Sequence, residues 1–308
     1  MELALITARQ VAVLFLLIGT GALATKTGVL RPEGKRTLSD LLVYLVVPAM
    51  IINSYRMEFS IEILRNLLAA FGMSVLAILL GTAVTLLLTA RSRGSRRAIF
   101  RFACIFSNAA YMGFPLISAL FGSEGLLYAS AFVTVFNLLV WTLGYSMVSG
   151  QASPRAVAHS LLRTPILYAI VIGLAIYLFQ LPLPDLIAQP IELLGNINTP
   201  LSMLITGVLL ASGDLRGVVC DTQVWKLAGV RMLLIPAVCL AAFALLGFHG
   251  MAAQVVLLLE CCPAAAITSV FAVQFHHDEQ FAAGCVVLTT LLSILTLPVF
   301  ALALTAAL

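Results

Sequence analysis

Charge punctuates this chain at intervals that no water-soluble fold requires. Lysines, arginines and acids gather in short clusters, and between them lie uncharged apolar runs such as Phe102 to Ser123. A run of about 20 such residues matches an α-helix that crosses a bilayer. Only 10% of the 308 residues are charged and 62% are hydrophobic, whereas a soluble domain has roughly a quarter of its residues charged. The composition therefore argues for an all-α integral membrane protein and against a soluble enzyme or a nucleic-acid-binding protein. Cys104, Cys220, Cys239, Cys261, Cys262 and Cys285 show no C-x-x-C spacing and mostly lie in apolar runs. They read as small hydrophobes, with no disulfide framework or zinc site implied. The Cys261–Cys262 pair neighbours no base that would activate a nucleophile, so no enzymatic activity is expected.

Ten candidate spans fall at about 3–25, 38–55, 66–90, 100–121, 125–148, 164–180, 190–212, 224–246, 251–275 and 280–306. The stretch 149–163, SGQASPRAVAHSLLR, is the most linker-like piece. Thirteen of the seventeen lysines and arginines lie in the connections after the odd-numbered spans, including Arg91, Arg93, Arg96, Arg97, Arg101, Arg155 and Arg163. Only Arg9, Arg56 and Arg65 lie on the other side. The positive-inside rule makes the richer side cytoplasmic and both termini extracytoplasmic. Trp141, Tyr145 and Trp225 fit anchors at the membrane interface.

Helix breakers recur within the spans. Pro48 in the second span pairs with Pro200 in the seventh, and Pro115 in the fourth with Pro263 in the ninth. The separation from Pro48 to Pro115 is 67 residues and that from Pro200 to Pro263 is 63. The chain thus divides into two repeats of five helices, 1–150 and 151–308. Five is odd, so the repeats are inverted across the membrane, the pattern of a secondary transporter. Irregular backbone at membrane depth must line a cavity or pack inside protein. If spans 4 and 9 cross at their breaks, the backbone around Gly113, Pro115, Pro263 and Ala264 offers two half-helix N-termini to one point. Such termini carry about half a positive charge each and suit a small anion.

The segments FSNAAYMGFPL in the fourth span and CCPAAAITSVFAVQF with CVVLTTLLSILTLP in the ninth and tenth resemble the auxin efflux carrier family. That family includes plant PIN carriers and bacterial malonate-type transporters. GTGALATKTGVL and LLVYLVVPAMIINSY also fit, so the resemblance covers nearly the whole chain. It implies ten helices in two inverted repeats, with a crossover like that of bile acid:sodium symporters. It further implies a scaffold part and a moving transport part. The family's crossover asparagine and prolines fall on Asn108, Pro115 and Pro263, and a further site amide falls on Asn137. Two departures stand out. The long hydrophilic central loop of many plant members is absent, and the third span lacks the ionisable residues of plant carriers.

Among single residues, Asn108 reads as a substrate donor or as a satisfier of broken backbone, and Asn137 as a site residue or as glue between helices. Glu260 is an acid well inside a span, and such residues are costly and usually functional. It reads as a coupling-ion ligand or proton carrier, with neutral oxygens from Ser107, Ser130 and Thr134, or as the partner of Arg231 in a salt bridge. Arg231, a few residues inside its span, is expected to snorkel to the surface or to attract a substrate anion. The HHDEQ stretch at 276–280 is expected to be a solvated turn. The sequence thus predicts a multi-pass carrier of a small organic anion, a carboxylate, in the plasma (bacterial inner) membrane. It works by alternating access, in elevator fashion, on its own or coupled to Na+ or H+. A channel for anions and a sodium-coupled symporter of a larger amphipathic acid stand as alternatives. No cofactor is expected; the partners are the substrate, the bilayer and, in a homodimer, a second copy.

Overall fold

The computed structural model describes residues 2–31, 34–150, 165–212 and 215–307. Arg155, Arg163, nearly all of the linker-like 149–163 segment and the boundary between the two expected repeats lie outside the described residues. Among the described residues every named element is helical. The first half holds α1 (Glu2–Lys26), α2 (Lys35–Leu41), α3 (Val47–Ser54) and the long α4 (Ile61–Leu88). Then α5 (Arg97–Ile105) stops at a break, followed by α6 (Phe114–Leu139) and α7 (Tyr145–Ser149). The second half holds α8 (Pro165–Phe179), α9 (Asp185–Asn196), α10 (Asn198–Ala211), α11 (Leu215–Cys220), α12 (Thr222–Gly229) and α13 (Ile235–Leu245). There α14 (Met251–Glu260) stops at a second break, before α15 (Ile267–Gln274) and α16 (Glu279–Ala307).

Seven stretches among the described residues are long and apolar enough to cross a membrane. The shortfall from the ten predicted spans has local causes. The ninth is cut by its break into Met251–Glu260 and Ile267–Gln274. The fourth and fifth run together from Ala109 to Ser149, turning at Gly122, where φ 59° and ψ −147° are open to glycine at little cost. The sixth begins only at Pro165, the edge of the described residues.

The prolines act on the helices through wide turns. Five-residue π turns at Leu42–Val46, Ala109–Gly113 and Val230–Leu234 each end two residues before a proline: Pro48, Pro115 and Pro236. Proline has no N–H, and its ring collides with the carbonyl four residues back. Widening the turn moves that carbonyl aside and lets the helix pass through with a bulge. A fourth π turn, Val140–Gly144, precedes no proline.

Small residues set the closest helix contact. α1 packs along α10 and α16. A Cβ at Gly21 would lie 2.5 Å from the Leu204 carbonyl oxygen, and one at Gly207 only 2.2 Å from that of Ile18. Lipid tails are as apolar as leucine, so helices in a bilayer associate by close packing, which small residues permit. A second apolar cluster ties α1 (Val11, Leu14, Ile18) to Met112 and Leu116 beside the first break and to Cys261 and Cys262 beside the second. The two breaks are thereby held next to each other.

Candidate functional site

The two breaks meet and complete each other's backbone. The Asn108 N–H donates to the Pro263 carbonyl at 2.7 Å, and the Ala265 N–H to the Phe106 carbonyl at 2.9 Å. Together they form an antiparallel bridge between Ser107 and Ala264. The Ala264 N–H is taken by Thr289 Oγ1 of α16 at 3.1 Å. The Asn108 carbonyl accepts from Met112 and Gly113 at 3.0 and 3.2 Å. Unpaired backbone at this depth would cost several kcal/mol per group, and the bridge removes much of that cost. At Gly113 a Cβ would fall 2.4 Å from Leu259 Cδ2, so any larger residue would push that leucine aside.

The prolines differ in their positions. Pro115 stands in the first turn of α6 as expected, though helical winding has already resumed at Ala109 through the π turn. Pro263 does not open the second half-helix. Its carbonyl belongs to the bridge, and α15 begins only at Ile267. The bridge demands extended backbone, which delays the helix by several residues.

Asn108 is 4% exposed, and its amide caps no helix. It makes no side-chain hydrogen bond to another described residue. Beside it, the Ser107 hydroxyl is buried without a partner. The bridged breaks therefore present an amide and a hydroxyl whose hydrogen-bonding capacity the protein itself leaves unused.

Arg231 does the opposite of snorkelling. It lies in the third π turn, fully buried against Glu260, with Nη1 to Oε1 at 2.8 Å and both side chains 0% exposed. Nη1 also donates to the Cys104 and Ile105 carbonyls at 3.0 and 3.3 Å. Nη2 reaches the Cys262 carbonyl at 3.1 Å and the Glu260 carbonyl, while Nε reaches Cys262 at 3.2 Å. One guanidinium thus collects the carbonyls that end both broken half-helices, α5 and α14. Those ends carry partial negative charge and orphan acceptors. The planar fork of five donors suits the task where an ammonium would not. Glu260 balances the charge through one oxygen; its Oε2 has no partner.

The other predicted ligands turn elsewhere. Ser130 donates to the Leu127 carbonyl at 2.6 Å and shares a 2.7 Å hydrogen bond with the Tyr55 hydroxyl. Thr134 donates to the Ser130 carbonyl at 2.7 Å, and Asn137 Nδ2 to the Val133 carbonyl at 2.8 Å. Ser107, Asn108, Pro263 and Ala264 come together at the bridge with Gly113 beside it. Glu260 turns to Arg231, and Ser130, Thr134 and Asn137 bond into the α6 backbone. Thr289 and Tyr55 were not singled out from sequence. A threonine donating to the carbonyl four residues back, as Thr289 does to Cys285 at 2.7 Å, leaves no pattern that marks it as a partner of a distant break.

At one end of the molecule Arg96 joins three connections. It bonds Asp221 at 2.7 Å and Asp278 at 2.6 Å, and stacks 4.8 Å from the centre of the Phe281 ring. Burial acts to raise the Asp278 carboxyl, but the Phe281 N–H and Arg96 outweigh it and hold the group below the usual carboxylate range. His277 Nε2 lies 2.8 Å from the Val148 carbonyl, so the expected solvated turn is tied down. Among the described residues, no three His, Cys, Asp or Glu side chains are grouped to hold a metal ion.

The family described as membrane transport protein matches this chain twice, over residues 6–160 and 152–301. An uncharacterized transporter of Methanothermobacter thermautotrophicus is 28% identical over 97% of both chains. An uncharacterized transporter of Methanocaldococcus jannaschii is 21% identical over 93% of this chain and 95% of its own. These likenesses bear out the resemblance carried by the FSNAAYMGFPL and CCPAAAITSVFAVQF segments, and they describe a multi-pass membrane transporter, with no enzyme among them.

Proposed function

The chain belongs to the membrane transport protein family, and from that premise we propose that it moves a small carboxylate across the plasma membrane by alternating access, with the substrate held where the two breaks cross. In this reading ten helices form two inverted repeats, 1–150 and 151–308, with both termini extracytoplasmic, and one part slides in elevator fashion past the other. The observation that carries it is Asn108, almost fully enclosed beside a hydrogen-bonded crossing and without a partner for its amide. The backbone N–H groups that begin the π turn at Ala109 and α15 at Ile267 add partial positive charge. Arg231 is consumed by the carbonyls of α5 and α14, so the anion meets dipoles and an amide and no full positive charge from that side chain. Such a site binds modestly and releases readily, as a carrier must.

Asn108→Ala should weaken binding of the carboxylate by about 1–3 kcal/mol, the range for hydrogen bonds to a charged partner. Equilibrium binding on monodisperse protein measures this, and unchanged affinity refutes the site. Saturable counterflow in loaded vesicles separates a carrier from a channel. Of the residues read as candidates for coupling to Na+ or H+, Ser107 and Glu260 each keep a buried oxygen without a partner, Oγ and Oε2. Glu260→Gln in vesicles given a sodium gradient or a pH gradient tests them; transport that responds to both gradients as wild type does removes Glu260 from coupling.

A further inference from the structure

A polar cavity, lined by none of the residues of the two breaks, lies between the end of α3, the Gly122 kink of α6 and the junction of α9 with α10. Its volume is about 160 Å³. Asn53, Ser118, Ser123, Asn196, Asn198 and Thr199 supply its polar lining together with Ser54, whose hydroxyl donates to the Ile51 carbonyl, and among the described residues no charged side chain joins them.

Asn198 marks it as more than a packing gap. The residue is 2% exposed, yet neither Nδ2 nor Oδ1 has a hydrogen-bond partner. Buried amides are rarely left so, because the desolvation is uncompensated. Here the first residue of α10 carries two unused donors and an acceptor at the wall of a polar space. Across it, Arg56 Nη1 donates to Asn53 Oδ1 at 2.8 Å. The Asn53 amide therefore has its acceptor engaged, which strengthens both of its N–H donors by polarisation. The serine and threonine hydroxyls can turn to donate as well.

The chemistry of this lining selects its occupant. A hard cation seeks several oxygen ligands, usually with carboxylates among them, and none lines the cavity. An apolar guest would leave the Asn198 amide stranded. A cluster of donors without an acid, one of them polarised by a guanidinium, suits a carboxylate. We propose that this cavity is a second carboxylate-binding site, held by the amides of Asn198 and Asn53 and separate from the crossing. The inference rests on the carboxylate reading of the transported class. It adds a position where such an anion is held by elements of both halves of the chain, α3 and α6 from one and α9 and α10 from the other.

The test is equilibrium dialysis of radiolabelled malonate against the purified full chain, wild type and three variants: Asn108→Ala, Asn198→Asp and Asn53→Ala. Wild type should show two saturable sites, and Asn108→Ala should retain one. Asn198→Asp, which sets a negative charge against the anion, should weaken that retained site by about tenfold or more and spare the other. Asn53→Ala, at a half-buried position, should weaken the same site and carries the test if Asn198→Asp elutes as aggregate. A single wild-type site that disappears in Asn108→Ala overturns this inference and leaves the crossing intact. So does unaltered two-site binding in both Asn198→Asp and Asn53→Ala. Binding of radioactive sodium in place of malonate by Asn108→Ala also overturns it. Absence of malonate binding in every protein overturns the carboxylate reading and this inference together.

Discussion

Replacing Arg231 by methionine removes the group on which both broken half-helices converge. The change keeps most of the side-chain volume, so cavity formation contributes little and the loss is electrostatic. Two contributions follow from the geometry. Glu260, fully buried and 2.8 Å from the guanidinium, becomes an uncompensated charge; breaking a buried pair by removing one partner typically costs about 3–5 kcal/mol. The carbonyls of Cys104, Ile105 and Cys262 also lose their donor, at about 1–3 kcal/mol for each acceptor left unsatisfied. Part of this relaxes, so a total destabilisation of at least about 4 kcal/mol is expected. Glu260→Gln should cost less, because the guanidinium, though left without its counter-charge, keeps the carbonyl acceptors and the amide oxygen. The double variant Arg231→Met with Glu260→Gln should recover the charge contribution and leave the carbonyl contribution. The assay is equilibrium unfolding of the four proteins in mixed micelles, analysed as a double-mutant cycle. Arg231→Met unfolding within about 0.5 kcal/mol of wild type, or a double variant no more stable than Arg231→Met alone, would refute the reasoning.

Three further outcomes are expected. Gly207→Leu should separate α1 from α10 and lower the yield of folded protein sharply, whereas Gly19→Leu on α1, where an added Cβ meets nothing within 4 Å, should be tolerated; size-exclusion profiles compare them. The Asp278 carboxyl is held below its ordinary value when folded, so its contribution is complete above the unfolded pKa near 4 and lost as pH falls through the folded one. Asp278→Asn should therefore flatten the acid limb of stability below about pH 4, and an unchanged limb in a pH series of thermal unfolding counts against it. Gly94→Cys in a cysteine-free background should resist a membrane-impermeant thiol reagent in intact cells and react after permeabilisation; ready labelling in intact cells would reverse the orientation read from the basic residues.

The two breaks were legible because a proline and an asparagine inside an apolar run are each hard to explain alone. Pro115 with Asn108, and Pro263 at matching spacing, predicted breaks that need partners. The partners themselves were hidden, since Asn108 and Pro263 are joined by a backbone hydrogen bond that leaves no residue preference behind it. For Arg231, the pairing read for Glu260 holds while the expected snorkelling does not, for a related reason. Its place a few residues inside a span suggested an escape to water, but the attraction comes from carbonyls, which every residue carries and no sequence displays. Ser130 and Thr134 stand four residues apart on α6, and the helical period that puts them on one face cannot say that Tyr55 bonds Ser130. The ten predicted spans counted charge-free length, whereas the structure counts continuous helix, and breaks and kinks separate the two measures.

The contact between α1 and α10 carries a mechanical consequence. Where helices meet through side chains, rotamers can shift and one helix can slip past the other a little at a time. At Gly21 and Gly207 backbone lies against backbone, and no rotamer exists to give way. Sliding by one residue, about 1.5 Å, would bring other side chains into a gap too narrow for a methyl group. The pair should therefore behave as a single beam, one that keeps its register while softer contacts elsewhere in the bundle yield.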